Sequence, residues 1–177
     1  MRTLALIPGL LLCLGLSSQT SGLVKSVDLN RFSGKWFEIA SYPAKFQQGC
    51  RCSTAEYEVV AGKKYIAVTN RCILIKRSGS RVAEAGARAY PKKGYNNAWL
   101  KVSFFWPFMG DYQVIGLSED YDWVIVGHPQ QKYLWILSRE SYMPSQTYHE
   151  ITQVISSKGY NVNRLVKTPQ NCDELNE

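Results

Sequence analysis

The chain has 177 residues with a formal net charge of +7 at pH 7, and 12% of its residues are aromatic. This length suits a single domain with one core, and aromatic residues are favoured in strands. The lysines and arginines are scattered along the chain, so the charge does not indicate a nucleic-acid partner. It favours a peripheral contact with an anionic membrane or acidic ligand head groups, or it serves solubility alone.

Residues 1–22 predict a secretory signal peptide, which leaves residues 23–177 as the mature domain. Arg2 precedes an apolar run that is too short to span a bilayer and is followed by small polar residues. Cys13 raises an alternative, the lipid-modified cysteine of a membrane-anchored lipoprotein. The three leucines before it lack the small residue that such a signal requires, which disfavours this alternative. We therefore expect a secreted or otherwise extracytoplasmic protein.

Removal of the signal peptide would take away Arg2 and Cys13. The formal charge would fall from +7 to +6, and four cysteines would remain: Cys50, Cys52, Cys72 and Cys172. An even number of cysteines in a secreted chain predicts two disulfides. In an extended segment Cys50 and Cys52 point the same way and cannot readily bond to each other. Each is expected to reach Cys72 or Cys172, in either combination. The single residue between the first two cysteines also disfavours a zinc site, so no metal is expected.

Alternating apolar and polar residues predict eight strands after a turn or short 3₁₀ segment at residues 26–33. Short turns join them, and the polar residues between strands include hairpin signals. The predicted strands are residues 34–42, 53–60, 64–72, 81–90, 98–106, 111–117, 123–128 and 132–139.

A helix is predicted at residues 144–158, and a last strand at residues 160–167. The helix is supported by residues that share one face, namely Tyr148, Ile151, Val154 and Ile155. Gly159 can end it. The eighth strand is apolar on both faces, so its outer side needs cover. We expect the helix to lie on Leu134 and Ile136.

The elements predict an all-β fold, an eight-stranded antiparallel up-and-down β-barrel with one C-terminal α-helix packed outside. A closed barrel removes the sheet edges, and with eight strands its interior can hold one small ligand. A two-sheet sandwich is the alternative, because its strand pattern is similar.

Three runs resemble, in the same order, the conserved regions of the lipocalin family. They are Gly-x-Trp-Phe at residues 34–37, the acidic and aromatic turn at 118–126, and the apolar strand at 133–139 that ends in arginine. Within the family, residues 100–108 and 133–139 make the chain resemble chiefly the group of the bacterial outer-membrane lipocalin and apolipoprotein D. The resemblance covers nearly the whole mature chain. The middle run departs from the family pattern, because Glu119 stands where threonine is usual and Trp123 comes one residue early.

The resemblance implies structural roles for residues of these runs: Gly34, Trp36, Asp120, Tyr121 and Arg139. In the family, the matching arginine packs across the matching tryptophan at the closed end of the barrel, which gains cation–π energy. The resemblance also implies the disulfides Cys52–Cys172 and Cys50–Cys72. Cys52 opens a run similar to one in apolipoprotein D, whose cysteine is joined to the C-terminal tail.

Steps of two back from Arg139 place Leu137, Trp135 and Tyr133 on the inner face. The same alternation gives further candidates for lining a ligand cavity: Phe104, Val102, Leu100, Tyr112, Val114, Tyr57 and Val68. Each of these side chains could instead simply fill the barrel. The alanines of the fourth strand and the resemblance favour a hollow interior, with Lys101 or Arg88 available to a ligand head group or merely solvated.

The resemblance implies an extracytoplasmic carrier that binds a fatty acid, lysophospholipid, sterol or similar molecule for transport, storage or scavenging. We expect a monomer or weak homodimer without a cofactor. No hydrolase elbow or phosphate-binding glycine loop is present, so we expect no enzymatic activity. The alternatives are a lipid-modifying isomerase or de-epoxidase-like enzyme, which a free cysteine would support, and a secreted inhibitor that binds a protein through its loops.

Overall fold

A computed structural model describes residues 22–172, which form a ring of eight antiparallel strands. The strands are β1 (Gly34–Ser41), β2 (Cys50–Val59), β3 (Ile66–Lys76), β4 (Gly79–Pro91), β5 (Trp99–Phe105), β6 (Phe108–Leu117), β7 (Trp123–Gly127) and β8 (Leu134–Ser138). Each strand pairs with its neighbour in sequence, and β1 pairs with both β2 and β8. The predicted barrel is confirmed, and the sandwich is excluded because one continuous sheet closes on itself.

The predicted signal peptide lies, apart from Gly22, outside the described residues. Within residues 22–172, no helix has the combination of length and apolarity that crossing a membrane requires.

Two helices flank the barrel. The first, α1 (Leu29–Phe32), replaces the predicted turn or 3₁₀ segment with one α-helical turn. Asp28 caps it, because its carboxylate accepts hydrogen bonds from the backbone N–H groups of Asn30 and Arg31. The second, α2 (Ser145–Ser157), confirms the predicted C-terminal helix.

The outer face of β8 is covered by α2, as predicted. Ile151 and Ile155 of the helix are fully buried in one cluster with Leu134 and Ile136. Gly159 follows the helix with a φ of +80°, a conformation that favours glycine and ends the helix.

The last strand is much shorter than predicted. Instead of residues 160–167, only β9 (Val166–Lys167) pairs with β1. Tyr160 is buried in the cluster under α2, and its hydroxyl donates to the carbonyl of His128 at 2.8 Å. A 3₁₀ turn at Val162–Arg164 then redirects the chain. The prediction of a long strand was wrong because these contacts are made with residues distant in sequence.

Alternate side chains of the strands build two cores on the two sides of the barrel wall. In β7, for example, Val124 and Val126 belong to the interior core, whereas Ile125 belongs to the outer core under α2. All three are fully buried. The period of two that predicts the strands therefore also sorts their side chains between the inside and the outside.

The connections between strands alternate between the two ends of the barrel. We call the end with α1 and residues 60–65, 92–98 and 118–122 the closed end. The opposite end, with residues 42–49, 77–78, 106–107 and 128–133, is the open end. This geometry follows from the antiparallel order, because every odd-numbered strand from β1 to β7 runs toward the open end.

Candidate functional site

The interior is tightly packed at the closed end. Trp36 is fully buried, and its indole Nε1 donates to the carbonyl of Phe32 at 2.8 Å. The guanidinium carbon of Arg139 lies 3.7 Å from the centre of the indole ring. Gly34 precedes this pair with a φ of +94°, and a Cβ there would lie 3.4 Å from Nη1 of Arg139. These three residues together make the floor of the barrel.

Arg139 also binds the backbone of two neighbouring segments. Its Nη1 donates to the carbonyl of Lys35 at 2.9 Å, and its Nη2 donates to the carbonyl of Arg31 at 2.7 Å. Burial lowers the pKa of Arg139, but a guanidinium remains protonated in proteins. The charge is therefore used to join β1 to α1 beneath the indole, which supports a structural role.

The turn between β6 and β7 places Tyr121 and Asp120 differently. Tyr121 has a φ of +65°, and its hydroxyl accepts a hydrogen bond from the backbone N–H of Asp28 at 2.9 Å. Asp120 is exposed, and its side chain forms no hydrogen bond or ion pair within residues 22–172. The turn is closed by the hydroxyl of Ser118, which accepts from the N–H of Asp122 at 2.7 Å.

The nine predicted cavity residues divide into two groups by depth. Four are buried in the interior core: Tyr57, Val68, Leu100 and Val114. Five lie toward the open end and keep part of their surface exposed: Val102, Phe104, Tyr112, Tyr133 and Trp135. The first group is packed into the interior core, whereas the second group retains solvent-exposed surface.

Within the second group, Val102, Tyr112 and Trp135 pack against the interior core. Phe104 does not belong to that core and is 45% exposed. The pairing of β5 with β6 shifts between Val102 and Phe105, which interrupts the alternation on which the inward placement of Phe104 depended. Its role as a cavity residue stays a prediction.

Two tyrosines mark the boundary between the filled and the half-exposed interior. The hydroxyls of Tyr57 and Tyr112 are 2.8 Å apart and share a hydrogen bond. Burial raises the pKa of Tyr57 to about 12 and the pKa of Tyr112 well above its usual value. Both side chains are therefore neutral at physiological pH and carry a hydroxyl group but no charge.

An aromatic group stands at the open end around Tyr133. Its ring stacks on Trp135 with the ring centres 5.7 Å apart, and it meets the edge of Phe46 at 5.6 Å. The ring of His128 lies 5.7 Å away at a right angle, and burial lowers the pKa of His128 despite the nearby carboxylate of Asp111. The histidine is accordingly neutral at physiological pH.

A chain of polar contacts behind these rings was missed by the sequence reasoning. Trp135 Nε1 donates to Gln47 Oε1 at 3.0 Å, and Gln47 Nε2 donates to Glu38 Oε2 at 2.7 Å. The other carboxylate oxygen of Glu38 accepts from the hydroxyls of Thr168 at 2.6 Å and Ser41 at 2.9 Å. Glu38 is only 6% exposed. A lone carboxylate within an apolar strand was its only sequence signal, and Gln47 and Thr168 had none.

Lys101 and Arg88 do not reach the interior. Each lies between inward-facing residues of its strand and is therefore on the outer face. Lys101 Nζ is 2.6 Å from Asp111 Oδ1, and the guanidinium of Arg88 lies 5.1 Å from the ring centre of Tyr65. Of the two readings of these cations, the solvated outer face is the correct one.

The disulfides join Cys50 to Cys72 and Cys52 to Cys172, with Cα–Cα distances of 5.5 and 6.2 Å. This is the pairing that the resemblance implies. The start of β2 is not regularly extended, however, because Cys52 has a φ of +50° and the pairing of β2 with β3 shifts between Arg51 and Thr54. As expected, the first two cysteines do not bond to each other, and this irregularity accompanies their different partners.

A closed antiparallel barrel with a packed floor and a half-exposed apolar interior at the other end defines a small-ligand-binding β-barrel. A lipocalin-like domain matches residues 27–170, and this chain belongs to the lipocalin family, whose members bind small hydrophobic ligands in such a barrel. The predicted family is confirmed.

Relatives from distant organisms resemble the chain over most of its length. The outer membrane lipoprotein Blc of Vibrio cholerae is 34% identical over 159 residues, which are 89% of this chain and 91% of that protein. Temperature-induced lipocalin-1 of Arabidopsis thaliana is 33% identical over 84% of this chain and 82% of its own. Apolipoprotein D of Macaca fascicularis is 30% identical over 85% and 82%. The predicted similarity to the group of the bacterial lipocalin and apolipoprotein D is confirmed.

Among solved structures, apocrustacyanin C2 superposes with a TM-score of 0.66 over 81% of this chain and 80% of its own, at 15% sequence identity. At this identity, the superposition supports the fold alone.

Proposed function

We propose that this protein is an extracytoplasmic carrier that holds a fatty acid, lysophospholipid, sterol or similar molecule in its barrel for transport, storage or scavenging. One observation carries the proposal. Trp135, Tyr112 and Val102 pack against the interior core of a closed barrel yet keep part of their surface exposed. Burial of an acyl chain against such surface contributes about 0.8 kcal/mol per methylene group.

Polar groups near the same surface would orient the head of the ligand. The neutral hydroxyls of Tyr57 and Tyr112 and the amide of Gln47 lie beside the apolar positions. Pockets for small molecules commonly combine an apolar lining with a few placed polar groups. These three groups would recognise the ligand head by hydrogen bonds.

The proposed location rests on the disulfides and on the predicted signal peptide at residues 1–22. Two disulfides form and persist in an oxidising compartment. The names of two relatives, an outer membrane lipoprotein and an apolipoprotein, agree with a place outside the cytoplasm. A monomer or weak homodimer with a peripheral membrane contact completes the proposal, and anchorage through Cys13 remains the disfavoured alternative.

The enzyme alternative loses the feature that would support it. Lipocalins are generally binding or carrier proteins, and the four cysteines within residues 22–172 are all joined in disulfides. We therefore propose binding without chemical change of the ligand.

Tryptophan fluorescence tests the carrier proposal. Titration with a fatty acid or a lysophospholipid should quench the emission, and Trp135→Phe should remove much of that quench. Trp123→Phe is the matched control, because Trp123 packs against the outer core and should leave the quench intact. The absence of a quench with every lipid class, or an equal effect of both substitutions, would contradict the proposal.

A further inference from the structure

The hairpin between β5 and β6 presents exposed apolar side chains at the open end. We call residues 104–109 the aromatic hairpin tip. Phe105, Trp106 and Phe108 are 79%, 80% and 78% exposed, and Phe104 and Met109 are 45% and 40% exposed. Single exposed apolar residues are normal on a protein surface. Five such residues within six consecutive positions form a contiguous patch, which marks an interaction site.

The tip stands clear of the neighbouring strands. Pairing of β5 with β4 ends at Ser103, and pairing of β6 with β7 begins at Gln113. Between these positions the two strands pair only with each other, and Phe105 faces Phe108 across the turn. The aromatic side chains therefore project beyond the barrel wall.

The open end that carries the tip is also positively charged. Six exposed cations lie in or beside its connections: Lys45, Arg51, Lys76, Arg77, Arg81 and Lys132. No acidic residue occurs in residues 42–51, 74–81, 103–110 or 128–133. Within the described part of the chain, none of the six forms a salt bridge. The connections at the closed end combine Glu119, Asp120 and Asp122 with Lys63, Lys64, Lys92 and Lys93. Their net charge of +1 is lower than the +3 of the open-end connections, which contain Lys45, Arg77 and Lys132.

We propose that the open end docks on a lipid bilayer containing anionic lipids, with the aromatic hairpin tip inserted at the level of the head groups. Tryptophan and phenylalanine are favoured at this depth. Each Lys or Arg close to an anionic leaflet strengthens binding by about five-fold. The positive charge thus provides long-range attraction, and the aromatic tip adds short-range apolar burial.

The same charges disfavour a second copy of the chain as the partner of this surface. Two open ends brought face to face would oppose six cations to six cations without a compensating carboxylate in their connections, which is repulsive. An anionic bilayer offers both the charge and the apolar depth that the surface lacks.

Docking in this orientation deepens the proposed carrier function, because it turns the half-exposed interior toward the bilayer. A lipid could then pass between the membrane and Trp135 without crossing bulk water. The docking itself rests on the tip and the cations and does not require that a ligand be bound.

Flotation with vesicles tests the aromatic part of the surface. The secreted protein, with its disulfides intact, is mixed with vesicles of phosphatidylcholine alone or with added phosphatidylserine. Simultaneous Phe105→Ser, Trp106→Ser and Phe108→Ser substitutions should weaken binding to the anionic vesicles by about ten-fold or more. Tyr142→Ser is the control, because Tyr142 is 72% exposed after β8, at the closed end, and it should not affect binding. The three substituted side chains are exposed, so thermal unfolding should be little changed.

A matched pair of charge reversals tests the electrostatic part. Lys76→Glu with Arg77→Glu, at the last residue of β3 and the first residue of the turn that follows it at the open end, should reduce binding and its sensitivity to salt. Lys63→Glu with Lys64→Glu makes the same change in net charge in the β2–β3 connection at the closed end and should reduce binding much less.

Several results would overturn the docking proposal. The first is a protein that does not bind anionic vesicles at all. The second is an equal loss of vesicle binding in each variant and its control. The third is a set of hairpin substitutions that abolishes self-association without affecting vesicle binding. The triple serine variant should still show lipid quenching in solution. Vesicle binding without any lipid quench would support docking and contradict the carrier proposal, whereas the reverse result would contradict docking alone.

Discussion

The two ends of the barrel differ in how completely their side chains are paired. At the closed end, the indole of Trp36 is fully buried and the guanidinium of Arg139 is bound to two backbone carbonyls. At the open end, Tyr133 is partly exposed and Phe46 is 67% exposed, although their rings are in contact. Paired and buried groups stabilise a fold, whereas exposed apolar groups are available to a partner. We infer that the packing of Trp36 and Arg139 at the closed end serves stability, whereas the exposed aromatic groups at the open end serve recognition.

The largest expected effect comes from Trp36→Ala. Removal of a fully buried indole should lower the free energy of unfolding by about 3–5 kcal/mol, measured by chemical denaturation. Ligand preference should not change in variant molecules that remain folded, because the indole lies below the buried part of the interior. Unchanged stability together with lost lipid binding would show that the closed end takes part in recognition.

Arg139→Ala should lower the free energy of unfolding by about 2–3 kcal/mol, because it removes the cation–π contact and leaves backbone carbonyls without their donor. Arg139→Lys keeps the charge but not the planar fork that reaches two carbonyls at once, so it should recover only part of the loss. Full recovery by lysine would mean that charge alone is sufficient. Retained stability with altered lipid binding would contradict the structural role.

Both disulfides hold the first residues of β2, toward the open end. Cys52–Cys172 spans 120 residues of sequence and Cys50–Cys72 spans 22. In the chain-entropy model, the longer loop restricts the unfolded state more, by about 1.5 kcal/mol. Replacement of Cys52 and Cys172 by serine should therefore lower stability more than replacement of Cys50 and Cys72, as measured by thermal and denaturant unfolding. The opposite order would indicate that native contacts of the two bridges outweigh loop length.

Peptide mapping without reduction gives an independent check of this pairing. Trypsin can cut after Arg51 and separate Cys50 from Cys52, so that each peptide reports its own partner. A Cys50 peptide linked to the tail would contradict the observed pairing.

The smallest expected effect on stability is that of Phe46→Ser. This side chain is 67% exposed, so the free energy of unfolding should change by no more than about 0.5 kcal/mol. Lipid affinity should fall because the edge contact with Tyr133 at the opening is lost, whereas Tyr142→Ser should change neither quantity. A large loss of stability from Phe46→Ser would break the proposed division between the two ends.

The number of strands, their order and the covering helix could be predicted from the sequence alone. Alternation with a period of two and the helical face of Ile151 and Ile155 are local signals, because they depend on neighbours along the chain. The same alternation correctly separates Leu137 from Ile136 on the two sides of the wall. Lipocalin motifs added the contact of Trp36 with Arg139 and the disulfide pairing by resemblance.

The positions at which the local alternation stops depend on contacts between segments that are distant in sequence. The shifts in pairing at Cys52 and between Val102 and Phe105 occur where one strand slips against its partner, which neither strand records in its own sequence. The buried carboxylate of Glu38 is satisfied by Gln47 and Thr168, from a connecting loop and from the tail. Such contacts depend on the closure of the barrel, which brings distant segments together and leaves the aromatic hairpin tip outside.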